Sequence, residues 1–154
     1  MESIEADNNY HRQKDWGEGS RAPHIAYTLW LPYEPIVFLT QHSVGFDEQN
    51  PPKGVAVLCN YLWERTWHGT NANDSCIGIT CQVDGESQEL SESQKLAVTW
   101  LLNEWLPGQG VNIPKGNVWG HGETPNVYGG GPDFGNNTVC PGKYVLPWVK
   151  SLRS

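Results

Sequence analysis

The sequence has no long hydrophobic run. Its longest apolar stretches, such as residues 36–39, stop far short of the roughly 20 residues that cross a bilayer, so we expect no membrane insertion. Residues 1–19 are polar and acidic, without the basic start and apolar stretch of a secretory signal peptide. The sequence therefore predicts a protein made in the cytoplasm without an export signal.

Basic residues are also few. The chain has 10 Lys and Arg against 17 Asp and Glu, a formal net charge of -7. Proteins that bind nucleic acid neutralise phosphates with an excess of positive charge. The charge balance therefore argues against a nucleic-acid partner.

Cysteine is too scarce for a small disulfide-stapled fold, since the chain has 4 and no C-x-x-C pair. Cys76 and Cys81 would point to opposite faces of one strand, so we expect no bridge between them. A bridge from either residue to Cys59 stays open. The alternative is that all three are buried thiols, because free cysteine is among the most buried residue types.

What the chain does have is enough large side chains for one core. It contains 154 residues, 38% of them hydrophobic, with 8 Trp and 6 Tyr. This length predicts a single domain over residues 1–154, with residues 1–23 as a loosely ordered segment. We expect a monomer.

Three apolar segments are typical of strands. They cover residues 36–40, 55–63 and 76–83, and we expect them to form the centre of the sheet. A last short strand over residues 117–120 would deliver His121. Several connections are too short for crossover helices, which indicates mixed strand directions.

Two helices are predicted in the second half of the chain. Ser91 and Gln94 form a capping-box pattern, and the helix after them should end at Pro107 and Gly108. A final helix starts near Lys143, with Pro147 indicating a late start or a kink. The apolar face of the first helix is expected to comprise Leu96, Ala97, Trp100, Leu101 and Trp105. The predicted fold is α/β, a central mixed β-sheet flanked by helices.

Three side chains fit a zinc site: His42 after the first predicted strand, His121 and Cys140. A catalytic zinc takes three imidazole, thiolate or carboxylate ligands and leaves one position open for water. The three residues lie far apart in the sequence, so only the fold could assemble them. The alternative is two hydrogen-bonded histidines and one buried thiol.

The order of the motifs resembles one known family. His42 is followed by W-H-G at residues 67–69, N-D-S-C-I-G-I at 73–79, G-H at 120–121 and T-V-C-P-G at 138–142. This order is similar to that of the zinc-dependent N-acetylmuramoyl-L-alanine amidases, a group that includes small phage endolysins and the peptidoglycan recognition proteins. The resemblance implies the fold of that group, with the helices packed around the mixed sheet.

The resemblance also assigns roles to residues of this chain. His42, His121 and Cys140 would hold Zn²⁺, and Thr138 would lie beside the scissile amide and stabilise its oxyanion. The candidate substrate-binding residues are Trp67, His68, Asn73 and Trp119.

The chain departs from the family pattern at the proton-transfer residue. Many members carry Glu directly after I-G-I, where this chain has Thr80. Others use a Tyr, for which Tyr61 is the candidate, and Glu123 is a second candidate. The choice between Tyr61 and Glu123 stays open.

The function implied is zinc-dependent hydrolysis of the amide between N-acetylmuramic acid and L-alanine in peptidoglycan, and hence lysis of the bacterial wall. The alternative is a non-catalytic peptidoglycan recognition domain. Such domains often lack a metal ligand, frequently the Cys, and here all three are present, which favours an enzyme. The expected setting is a phage endolysin that reaches the wall after a holin opens the membrane, and the alternative is a delivered antibacterial effector.

Overall fold

The computed structural model describes residues 29–33, 43–44, 56–58, 62, 76–123 and 139–154. Within this part, four short strands form one sheet in the order β2-β3-β1-β4: β1 (Leu29–Leu31), β2 (Ser43–Val44), β3 (Ala56–Leu58) and β4 (Ile79–Cys81). β1 pairs antiparallel with β3 and parallel with β4, and β2 pairs antiparallel with β3. The mixed α/β prediction is confirmed.

The central position of β1 was not predicted. Leu29, Trp30 and Leu31 are all buried, and β1 lies between β3 and β4. The predicted strands 55–63 and 76–83 correspond to β3 and β4, which are shorter than expected, whereas residues 36–40 and 1–23 lie outside the described residues. The prediction that 76–83 sits at the sheet centre is wrong for the described strands, because β4 is at an edge. A three-residue apolar run is too short to be recognised as a strand.

The predicted capping box is confirmed and also joins the helix to the sheet. The Ser91 hydroxyl accepts from the Gln94 N–H at 3.2 Å, and the Gln94 side chain accepts from the Ser91 N–H at 3.1 Å. The Gln94 amide then donates to the carbonyl oxygens of Leu31 and Gln82, each at 3.3 Å. Gln94 therefore fixes the start of the helix to the ends of β1 and β4.

The first helix has three consecutive parts: α1 (Glu92–Trp100), a π-helical turn (Leu101–Trp105) and α2 (Leu106–Gly108). It ends at Gly108 as predicted. The helix contributes Ala97, Val98 and Leu101 to the core, where they cluster with Leu29, Leu31 and Ala56 of the sheet. Leu96, predicted to lie on the apolar face, is 51% exposed. The buried face of the helix is formed instead by Gln94, Ala97, Val98 and Leu101.

The predicted strand over residues 117–120 is wrong. Residues Lys115–Asn117 form a 3-10 turn, Val118 is extended without joining a described strand, and His121–Glu123 form a second 3-10 turn. The final helix, α3 (Leu146–Ser151), begins late with Pro147 in its first turn, as predicted. None of the helices in the described part of the chain has the length and apolar character to cross a bilayer.

Cys76 and Cys81 are both free thiols, which confirms that they do not bridge each other. Cys59, the other cysteine that the sequence offered as a partner, lies outside the described residues. Cys81 packs against the core, whereas Cys76 is half-buried.

Candidate active site

His121 lies in a short turn that begins at a buried glycine. The Glu123 N–H donates to the Gly120 carbonyl oxygen at 2.9 Å, which closes the 3-10 turn around His121. A Cβ built on Gly120 would lie 2.6 Å from the Pro141 Cδ atom. Glycine is therefore needed at this position for the His121 turn to approach the segment that carries Cys140.

A second backbone contact joins these two segments directly. The Gly122 N–H donates to the Cys140 carbonyl oxygen at 2.8 Å. His121 and Cys140 are thus neighbours in the fold although far apart in the sequence. The structure brings together the two backbone segments that carry two of the three predicted metal ligands.

The Cys140 segment is held from its other side by the turn after β4. Gly142 has a φ of 91°, and a Cβ on it would lie 2.2 Å from the backbone carbon of Gly85. The Tyr144 N–H donates to the Gly85 carbonyl oxygen at 3.0 Å. This packing leaves no room for a side chain at Gly142 and fixes the backbone just after Cys140.

The protonation properties of the two candidate ligands differ. Burial lowers the pKa of His121 and so favours the neutral imidazole, the form that binds metal. The Cys140 residue as a whole is exposed, but burial of its thiol raises the pKa. Burial raises the pKa of the nearby Cys81 to about 12, and the charge of Cys140 adds to this shift. Without a cation, both thiols stay protonated at neutral pH.

The Glu123 carboxylate contacts three other residues in the described part of the protein. It accepts from the Gly120 N–H at 3.2 Å and from Arg153, and lies 3.5 Å from the Lys150 ammonium. Burial alone would raise the pKa of Glu123. The hydrogen bonds from Arg153 and Gly120 and the charges of Arg153 and Lys150 outweigh burial and hold that pKa below its usual value. The carboxylate is therefore ionised and engaged.

The other predicted site residues lie in several parts of the chain. Trp119 is half-buried. In the chain it follows the extended residue Val118 and precedes the turn that carries His121. Thr80 lies in β4, at the position where many family members carry Glu. The remaining candidates, which lie outside the described residues and stay predictions, are His42, Tyr61, Trp67, His68, Asn73 and Thr138.

The donor set fits zinc in its chemistry. An imidazole and a thiol on two segments joined by a backbone hydrogen bond are typical zinc ligands. Among the described residues alone, no group of three or more His, Cys, Asp or Glu side chains could hold a metal ion. A zinc site here would need a further ligand from outside the described residues, for which the sequence predicts His42.

A sequence model of the N-acetylmuramoyl-L-alanine amidase family matches residues 48–143, more than half of the chain. The chain belongs to this amidase family. The matched range contains both His121 and Cys140, and the family acts on peptidoglycan. No curated protein and no solved structure matches the chain.

Sequence reasoning missed the residues that support the site. Arg153 and Lys150 contact Glu123, and Gly85 contacts the segment after Cys140. The only sequence signals were a basic C-terminal end and an Asp-Gly pair after a strand. Neither signal indicates which distant residue is contacted.

Proposed function

We propose that this chain is a zinc-dependent hydrolase that cleaves the amide bond between N-acetylmuramic acid and L-alanine in peptidoglycan. The observation that carries this proposal is the contact between the His121 turn and the Cys140 segment within the range matched by the amidase family. His42, His121 and Cys140 are the proposed ligands, with one coordination position left for water.

A zinc ion held there would lower the pKa of a coordinated water and polarise the scissile carbonyl group. The chain's own contribution is to fix the ligands. Burial lowers the pKa of His121, so the imidazole is neutral and need not lose a proton when it binds the metal. Cys140 must lose its proton on metal binding, because burial favours the neutral thiol.

Thr138 and Tyr61 are the proposed groups on the substrate side. Thr138 precedes Cys140 by two positions and would donate a hydrogen bond to the oxyanion that develops on the carbonyl. Tyr61 would assist proton transfer to the leaving amine of L-alanine. Trp67, His68, Asn73 and Trp119 are proposed to contact the glycopeptide.

The test is digestion of purified peptidoglycan by the full chain, with separate measurement of new amino groups and new reducing sugar ends. The proposal predicts new L-alanine amino groups without new reducing ends. A chelator should stop their release, and added zinc should restore it. Binding to sedimented peptidoglycan without release of amines would instead indicate a recognition domain, and new reducing ends would indicate a glycosidase.

We further propose that the biological setting is that of a small phage endolysin. The support is the order of the sequence motifs, which resembles that of such enzymes. Bacteria that express the chain should lyse when a co-expressed holin opens the membrane, and should keep growing without it. Lysis that needs no membrane opening would contradict this setting.

A further inference from the structure

Arg153 connects both sides of the turn that carries His121. Its Nη2 atom donates to the Glu123 carboxylate, two residues after His121. Its Nε atom donates to the Val118 carbonyl oxygen, three residues before His121. One guanidinium group therefore binds the chain both before and after His121.

The Glu123 carboxylate, on the last residue of the His121 turn, also binds the residue that precedes the turn. The oxygen that accepts from Arg153 also accepts from the Gly120 N–H at 3.2 Å, and the other oxygen faces Lys150 at 3.5 Å. The Glu123 and Arg153 side chains are 22% and 25% exposed, so water screens this pair less than a surface ion pair. We name Val118, Gly120, Glu123 and Arg153 the turn clamp.

The turn clamp also links the two candidate ligands a second time. Arg153 follows α3, and α3 begins shortly after Cys140, so the chain that carries Cys140 returns to the His121 turn. The first link is the hydrogen bond from the Gly122 N–H to the Cys140 carbonyl oxygen. The His121 turn is thus fixed at both of its ends and along its length.

We propose that Glu123 and Arg153 are positioning residues that set His121 for metal binding, and that Glu123 is not the proton-transfer group. This inference rests on the proposed zinc site. Groups that orient a metal ligand typically change metal affinity by about 10- to 100-fold when removed. The carboxylate is directed toward Gly120, Arg153 and Lys150, which is the arrangement of a structural anchor.

The experiment measures zinc affinity of the full chain by competition with a chromophoric chelator. Arg153→Ala and Glu123→Ala should each weaken zinc binding about 10-fold or more. The double variant should be little worse than either single variant, because both remove the same contact. Arg153→Lys should recover part of the affinity, since it restores the charge but not the two-sided hydrogen bonding.

Two controls separate positioning from general destabilisation. Lys95→Ala removes two ion pairs, one with Glu92 on α1 and one with Glu89 before it, and should leave zinc affinity unchanged. At saturating zinc, Glu123→Gln should lose no more kcat than Arg153→Ala, because both disturb the same contact, whereas a proton-transfer role would lower kcat only in Glu123→Gln, by about 100-fold or more. Urea unfolding of each variant without metal shows the fraction folded under the assay conditions.

Unchanged zinc affinity in folded Arg153→Ala would overturn the turn clamp while leaving the proposed function intact. A loss of kcat at saturating zinc that is about 100-fold or more in Glu123→Gln and absent in Arg153→Ala would overturn the assignment of Glu123. Failure of the wild-type chain to bind zinc would reject the proposed function itself, and the positioning role with it.

Discussion

Gly122 donates its backbone N–H to the carbonyl oxygen of Cys140 at 2.8 Å, which joins the turn of one candidate ligand to the segment of another. The hydrogen bond uses backbone atoms only, so it joins the two segments without engaging the side chain of either candidate ligand. Three glycines, Gly85, Gly120 and Gly142, allow the close packing around this contact.

The first prediction concerns Cys140. Cys140→Ala should lose both stoichiometric zinc and release of L-alanine amino groups, because the thiolate is one of three proposed protein ligands. Cys76→Ala, which removes a half-buried free thiol, should retain both properties. Metal content after dialysis and amine release from peptidoglycan are the measurements. Full zinc occupancy in Cys140→Ala would remove Cys140 from the ligand set.

The second prediction compares three glycines. Gly142→Ala should lower the free energy of unfolding by roughly 3 kcal/mol, because positive φ and the Gly85 backbone both oppose a side chain. Gly110 has a φ of 79° but open space around it, so Gly110→Ala should cost only about 1 kcal/mol. Gly116→Ala meets neither obstacle and should change stability by less than about 0.5 kcal/mol.

Urea unfolding of the three variants checks this order. Equal losses for Gly142→Ala and Gly110→Ala would show that the contact with Gly85 contributes little. Gly142→Ala should also lower amidase activity, since the substitution displaces the backbone beside Cys140.

The third prediction concerns the buried amide of Gln94. Gln94→Ala should lower the free energy of unfolding by about 2 kcal/mol, because it leaves the Leu31 and Gln82 carbonyl oxygens without this donor. Ser91→Ala should cost about 1 kcal/mol through loss of the helix cap. Gln88→Ala, at an exposed position, is the control and should be nearly neutral. A Gln94→Ala variant as stable as the control would contradict the role of Gln94 as a link to the sheet.

The fourth prediction is a pH dependence from Asp84. Hydrogen bonds from the Ser87 hydroxyl at 2.7 Å and the Glu86 N–H hold the pKa of Asp84 below its usual value. A lowered carboxyl pKa in the folded state stabilises the fold above the unfolded pKa, about 3.9 for Asp. This contribution is lost as the pH falls through the lower, folded value.

Wild type and Asp84→Asn should therefore differ in urea midpoint at about pH 7, and the difference should shrink at about pH 3. Ser87→Ala should weaken the same dependence, because it removes the first of the two hydrogen bonds. If the difference in urea midpoint grew as the pH fell, the pKa of Asp84 would be raised rather than lowered by folding.

Local patterns were sufficient for several elements. The capping box at Ser91 and Gln94, the end of the helix at Gly108 and the late start of α3 at Pro147 all depend on residues within one or two turns. Such signals are readable because the interacting groups are neighbours in the sequence. The apolar face of α1 was less well predicted, since Gln94 rather than Leu96 is buried.

Long-range packing decided what the patterns missed. The run Leu29–Leu31 is too short to be recognised as a strand from the sequence. In the sheet, however, β1 lies between β3 and β4 and pairs with both. Residues 117–120 have the composition of a strand but do not pair with one in the described part of the chain. They instead connect the 3-10 turn at Lys115–Asn117 to the 3-10 turn that begins at His121.

The sequence by itself determined the family, the residue types of the candidate metal site and the helix boundaries, because these depend on composition, motif order and local hydrogen bonds. Tertiary structure alone decided that the His121 turn contacts the Cys140 segment, that Gly85 packs against Gly142, and that Arg153 pairs with Glu123. Each of these contacts joins segments far apart in the chain, and no local pattern carries the partner's identity.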